Sequence, residues 1–248
     1  MTIITDERCT AYHSPGHPER PFRVSGPVKK LKAQTDLKLQ WLKPEPPPKA
    51  KVLRAHTTNH FQRLAESHDF DGDTAYHEGI RDHALRSVGG ALKALDLAKA
   101  GKPNFSLLRP PGHHATKERA MGFCYLGSVA IAALEAKATG SKKVAVFDFD
   151  VHHGNGTEDI LVKRDGVAFF SIHQHPAYPG TGTESFDNCR NYIARPNLPR
   201  EDYRKIAERA VADLKSFEPD FVVVSAGFDA YAGDPLCNQK LSAEDFRW

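Results

Sequence analysis

The sequence has no long apolar run. Nothing approaches the roughly 18 consecutive apolar residues of a membrane span, and the opening MTIITDERCTAYH carries charged residues where a secretory signal needs its apolar stretch. A soluble, cytoplasmic-type protein with no membrane partner is expected. Cysteine is scarce: Cys9, Cys124, Cys189 and Cys237 lie far apart without a Cys-x-x-Cys pair, which argues against a thiolate zinc site or a disulfide scaffold. Buried, reduced thiols are expected. Net charge is also small, with 34 basic against 31 acidic side chains and a formal charge of +3, too mild to name nucleic acid or an anionic membrane as a partner. No internal repeat is visible. The one biased stretch, KPEPPPKAK at 43–51, reads as a stiff extended connection on the surface rather than an SH3-type ligand.

What is present is an α/β alternation. The 248 residues, 40% apolar, suffice for one large domain or two small ones. Four β-rich runs, NFSLL at 104–108, VAVFD at 144–148, VAFFSI at 167–172 and FVVVSA at 221–226, are separated by helical patterns near 81–100, 125–138, 157–163 and 201–216. Such spacing predicts a parallel sheet with helices on both faces, in one domain. Each run leads into a polar segment: RPPGHHA, DVHHGNG, HQHPAYPGTG and GFDAYAGD. Ligand sites of open α/β sheets lie beyond the carboxyl ends of the strands, so these segments are expected to form the site. The final LSAEDFRW reads as a helix start, with Ser242 as N-cap and Glu244 and Asp245 in the first turn. A helix of about five residues needs something packed against it, and the chain reads as cut short within its domain.

The stretch VAVFDFDVHHGNGT places polar groups at the end of an apolar strand, where they are unfavourable unless paired or metal-bound. Asp150 and His152, two residues apart, project to one side of an extended backbone, with Asp148 before them on that side. Asp229, after the last apolar run, is the natural third partner. Two carboxylates and one imidazole around an open position suit catalytic Zn²⁺ or Fe²⁺. The alternative is an ion-paired, hydrogen-bonded cluster without metal. His113 and His114, in a stiff turn behind Pro110, Pro111 and Gly112, are candidate proton carriers, with Asp148 and Asn155 available to orient them.

Together RPPGHHA, MGFCYLGSVAIAA, VAVFDFDVHHGNGT, the SIH and PGTG segments and SAGFDAYAGDPL resemble the zinc-dependent histone deacetylase family. The asparagine of HHGNG and the leucine of GDPL are similar to its class II and bacterial branch, which includes acetylpolyamine amidohydrolases and acetoin-utilisation proteins. The resemblance implies an arginase/deacetylase-like fold with its active site at the carboxyl ends of the strands. It implies zinc on Asp150, His152 and Asp229, with His114 as general base and then acid. His113 would pair with Asp148, and His114 with Asn155, whose lack of charge makes His114 less readily protonated.

The resemblance further implies a narrow acyl-lysine tunnel walled by Phe123, Tyr178 and Leu236, with Gly122 at its floor. Asp71 resembles the rim carboxylate that binds substrate backbone, with Asp73 a competing choice. A structural potassium ion would be held by groups of Asp148, Asp150, His152, Ser171 and Ile172. The family's oxyanion-stabilising tyrosine lies in a Gly-Gly-Tyr-like segment beyond GDPL, which this sequence does not reach. Loss of one such donor costs on the order of 10²- to 10³-fold in rate. The expected activity is removal of acetyl or other acyl groups from lysine side chains of proteins or from small acylated amines. A non-catalytic acyl-lysine or partner-binding module is the alternative. A two-metal ureohydrolase of the arginase type fits less well, because DVHHG lacks the aspartate such a site needs after its histidine.

Overall fold

The computed structural model describes residues 1–248, which divide into two units, Met1–Glu135 and Ala136–Trp248. In the first, Thr2–Ile4 (β1), Gln40–Leu42 (β2) and Asn104–Ser106 (β3) form a parallel sheet in the order β2-β1-β3. Its helices are Phe22–Ala33 (α1), Lys49–Val52 (α2), Thr58–Arg63 (α3) and Ile80–Lys99 (α4). In α4, Ile80, Ala84, Val88, Leu92 and Leu95 recur every three to four residues and are buried, the stripe an amphipathic helix needs to cover a sheet. The proline-rich stretch leads from β2 to α2, where Pro48 is the N-cap residue.

Arg109 lies buried in this unit, 1% exposed. Its guanidinium donates to both Glu19 carboxylate oxygens and, through Nη1, to the Cys9 carbonyl at 2.8 Å. It also stacks over the Tyr12 ring at 4.1 Å. Removing one partner of such a buried pair costs roughly 3–5 kcal/mol, because the other charge is stranded. The pair ties the RPPG segment to Glu19, 90 positions earlier in the chain.

The second unit holds Val144–Asp148 (β4), Val167–Gln174 (β5), Cys189–Ala194 (β6) and Phe221–Ser225 (β7), all parallel, in the order β6-β5-β4-β7. Ser128–Ala138 (α5) carries the chain from one unit into the other, followed by Asn155–Leu161 (α6), Arg200–Ser216 (α7) and Ala243–Arg247 (α8). Strand β5 is buried at every position, and each buried Phe or Ile there contributes about 1.5–3 kcal/mol relative to exposure. Asp148 stands opposite Ser171 on one side and Ser225 on the other, so β4 and β7 end level while β5 continues to Gln174.

The expected fold class holds, with one correction: the strand within NFSLL does not join β4, β5 and β7 but pairs with β1 in the separate three-stranded sheet. Strands β1 and β2, three residues each, are too short to leave a periodic signal. The expected terminal helix forms as α8 with a capping box between Ser242 and Asp245. Asp245 also accepts hydrogen bonds from Arg200 at 2.7 Å and Arg204 at 2.8 Å. Burial would raise its pKa, but these partners hold it below the usual carboxylate range. Phe246 packs against Phe228 and Phe149, with ring centroids 5.3 and 6.5 Å away, supplying the support so short a helix requires. No helix is long and apolar enough to cross a membrane.

Candidate active site

At the end of β4, Asp148 is fully buried and its Oδ1 accepts the Asp150 backbone N–H at 3.1 Å. The backbone N–H of Phe149 donates to Ser225 O at 3.2 Å, tying this loop to the end of β7. The Val151 N–H then donates to Asp229 Oδ1 at 2.8 Å, and the His152 N–H to Asp150 Oδ1 at 2.9 Å. These amides fix both carboxylates before any ion is considered. Gly227 completes the packing: a Cβ there would fall onto the Cα, Cβ and carboxylate of Asp150, so only glycine allows the two loops to approach so closely.

His152 Nδ1 lies 3.1 Å from Asp150 Oδ1 and 2.9 Å from Asp229 Oδ2. Donor atoms of Asp150, His152 and Asp229 all lie within 4.8 Å of one another. Their side chains are only 14%, 15% and 18% exposed for His152, Asp150 and Asp229. Burial alone would push the His152 pKa down, but hydrogen bonds to Asp150, Asp229 and Cys237 push it up instead. Burial and the Asp150 charge push Asp229 up, against the pull of His152. The Tyr203 hydroxyl is raised by burial and then by Asp229, Asp150 and Asp148. In all three the neighbouring carboxylates push upward, beside burial as the larger cause for Asp229 and Tyr203. Two carboxylate oxygens and an imidazole nitrogen, converging and partly open, fit a divalent transition metal.

Other expected residues fall in different places. Tyr178 is 38% exposed, its ring centroid 6.5 Å from that of His152. Leu236 is 48% exposed, and its N–H donates to Asp234 Oδ1 at 2.8 Å. Ser171 is buried with its hydroxyl 2.9 Å from His173 Nδ1, and Ile172 lies in the core beside Phe170 and Val151. Asn155 is the first residue of α6. Within the first unit, His113 and His114 are buried with ring centroids 4.0 Å apart. Gly122 and Phe123 both adopt positive φ, 54° and 67°, and the Phe123 N–H donates to Thr74 Oγ1 at 3.0 Å. Asp71 accepts the Asp73 N–H at 3.2 Å. It is Asp73 that lines a small recess together with His17 and Phe123.

All four cysteines are free and buried, as their spacing predicts. Sequence reading missed that one of them, Cys237, places Sγ 3.4 Å from His152 Nε2. The only available signal was its position directly after Leu236 in GDPL. His153 and His173, read from the sequence as supporting or structural histidines, form a second cluster whose partners Thr181, Glu158 and Asn191 that reading missed. His153 Nδ1 lies 2.8 Å from Thr181 Oγ1, His173 Nε2 lies 3.0 Å from Gly182 O, and Asn191 Nδ2 donates to Glu158 Oε2 at 2.7 Å.

Parallel sheets flanked by helices, with two carboxylates and an imidazole converging beyond the carboxyl ends of β4 and β7, define an α/β protein with a candidate metal site. Residues 17–248 match the family described as "Histone deacetylase domain". The chain is 36% identical over 254 residues to a histone deacetylase-like amidohydrolase of Pseudomonas aeruginosa, covering 94% of this chain and 66% of that protein. Among solved structures, the HDA15 HD domain superposes with a TM-score of 0.92 at 32% identity, covering 99% of this chain and 79% of that one. An acetylpolyamine aminohydrolase from Burkholderia pseudomallei gives a TM-score of 0.85 at 27% identity, covering 99% and 87%. The chain belongs to the histone deacetylase family, a family of hydrolytic deacetylases and amidohydrolases.

Proposed function

We propose that this protein is a zinc-dependent amidohydrolase that removes acetyl or related acyl groups from lysine side chains or from small acylated amines. The observation that carries the reading is the triad of Asp150, His152 and Asp229, whose donor atoms lie within 4.8 Å of one another. Zn²⁺, or Fe²⁺ in its place, held there would supply Lewis-acid polarisation of the amide carbonyl and of the attacking water. The carboxylates orient His152 and hold the negative charge that such an ion offsets. In this reading His114 takes the proton of the water and later returns it to the leaving amine. His113, with Asp148, keeps a second imidazole available, and Asn155 orients His114 without adding charge. Phe123, Tyr178 and Leu236 exclude water from the acyl-amine, with Gly122 beneath it and Asp71 or Asp73 at the rim. A potassium ion held by groups of Asp148, Asp150, His152, Ser171 and Ile172 would offset carboxylate charge nearby.

The reading treats residues 1–248 as one catalytic domain in a cytoplasmic setting, consistent with four free thiols. The substrate class is supported by the relatives, one named an amidohydrolase and one an acetylpolyamine aminohydrolase. The test is hydrolysis of an acetyl-lysine peptide and of an acetylated polyamine by zinc-loaded protein, alongside His114→Ala with metal content checked. Loss of turnover by the variant at unchanged zinc is expected. Full turnover by the variant would remove His114 from its role, and hydroxamate binding without turnover in the unaltered chain would favour a binding module.

A further inference from the structure

Resting on the metal-site reading above, we propose that Cys237 is a positioning residue for the metal centre: its sulfur accepts the Nε2–H of His152 and so presents Nδ1 to the ion. The geometry separates the two faces of the ring. Nδ1 is turned to the carboxylates, 3.1 Å from Asp150 Oδ1 and 2.9 Å from Asp229 Oδ2, while Nε2 lies 3.4 Å from Cys237 Sγ. The sulfur therefore stands behind the imidazole and is not one of the metal donors. A neutral imidazole has one N–H and one lone pair. Ligation through Nδ1 requires the proton on Nε2, and the sulfur is what meets it.

Metal-bound histidines nearly always give their second N–H to a carboxylate, a carbonyl or water, and losing that partner typically costs 10–100-fold in metal affinity. Here a thiol takes the place. Sulfur is a weak acceptor, so Cys237 sets the ring's orientation and tautomer while adding no charge to a site that already holds two carboxylates. Cys237 is 9% exposed, so little water competes for Nε2. The contact spans 85 positions in sequence, and it fastens the loop after β7 to the loop after β4 beside the Val151–Asp229 and His152–Asp229 contacts.

The test compares the full chain with Cys237→Ala and Cys237→Ser. Zn²⁺ affinity is measured by chelator competition, and solvent exchange of the His152 Nε2–H by nitrogen-edited NMR of the zinc-loaded proteins. The expected result is Zn²⁺ affinity about tenfold weaker in Cys237→Ala with faster Nε2–H exchange, and recovery of both in Cys237→Ser, whose hydroxyl accepts the same bond. Should Cys237→Ala match the unaltered chain in affinity and exchange, the inference is overturned while the metal site stands. Equal weakening in both variants also overturns it, because packing rather than hydrogen bonding would then be the cause. If the unaltered chain takes up no zinc, the metal-site reading fails and takes this inference with it.

Discussion

His152 and His153 are consecutive, yet they end in opposite chemistry. His152 faces two carboxylates in a site where its side chain is 14% exposed. His153 is 1% exposed and meets Thr181, with Nε2 3.3 Å from Glu158 Oε2 but off the line of a hydrogen bond. The first cluster has two acids for one imidazole, and its histidine is shifted up. The second has two imidazoles for one acid. There burial, then the proximity of His153, pushes the His173 pKa down to about 4. Burial works against the Glu158 charge, but His153 and Asn191 outweigh it and hold the carboxylate low. Ser171, Gly182 and Thr181 meet both His173 nitrogens and His153 Nδ1, while His153 Nε2 and Asn191 Oδ1 are buried without a hydrogen bond. What differs is the charge each cluster leaves over. The second sets its one acid against two imidazoles and an amide, whereas the first keeps more acid than its single imidazole can pair.

The contrast is broken most sharply by Asp229→Ala. Zinc uptake should be lost, and hydrolysis should fall by more than the roughly 100-fold that bounds outer-shell effects, as read by metal content and turnover. Stability of the metal-free protein should change little, since a carboxylate shifted up by burial and by Asp150 is removed. Glu158→Ala should do the reverse. Removing the buried acceptor of the Asn191 amide should cost about 1–3 kcal/mol, seen in urea denaturation, while zinc affinity of the protein that remains folded stays near its starting value. Loss of zinc binding without loss of stability would reverse the roles assigned to the two clusters.

A smaller effect appears in pH dependence. The folded pKa of His173, about 4, lies below the ordinary histidine value of 6.5, so the unfolded chain binds more protons in between. Its contribution is fully present above about pH 6.5 and is lost as pH falls toward 4, on the order of 3 kcal/mol. His56, pushed down to about 3 chiefly by burial, acts in the same direction within the first unit. Urea midpoints at pH 7.5, 6 and 5 should decline, and His173→Gln should flatten the decline. A flat profile in the unaltered chain would contradict the buried, neutral state of these rings. The smallest change is Ser242→Ala, which removes the N-cap of α8 and should cost about 1 kcal/mol, measured as a shift in the thermal midpoint.

Much of this was legible because strands β4 and β5 are continuous apolar runs, VAVFD and VAFFSI, that end in acids and histidines. Strand β6, CRNYIA, is buried only at Cys189, Tyr192 and Ala194 and lacks the apolar continuity that marked the others. Asp150, His152 and Asp229 could be grouped because strand ends converge in parallel sheets. Cys237 could not, because its partner lies 85 positions away and a scattered thiol reads as core. The Glu158 network was hidden for the same reason: its members sit on α6, β5, β6 and the loops around them, and no spacing joins them.

The central claim is that Asp150, His152 and Asp229 hold one divalent metal. Equilibrium dialysis of the full chain against Zn²⁺, followed by metal analysis, tests it directly beside an Asp150→Asn, Asp229→Asn double variant. One zinc per chain, absent from the double variant, is the expected result. No zinc in the unaltered chain, or one zinc retained by the double variant, would contradict the claim, and two per chain would point to a ureohydrolase-type site instead.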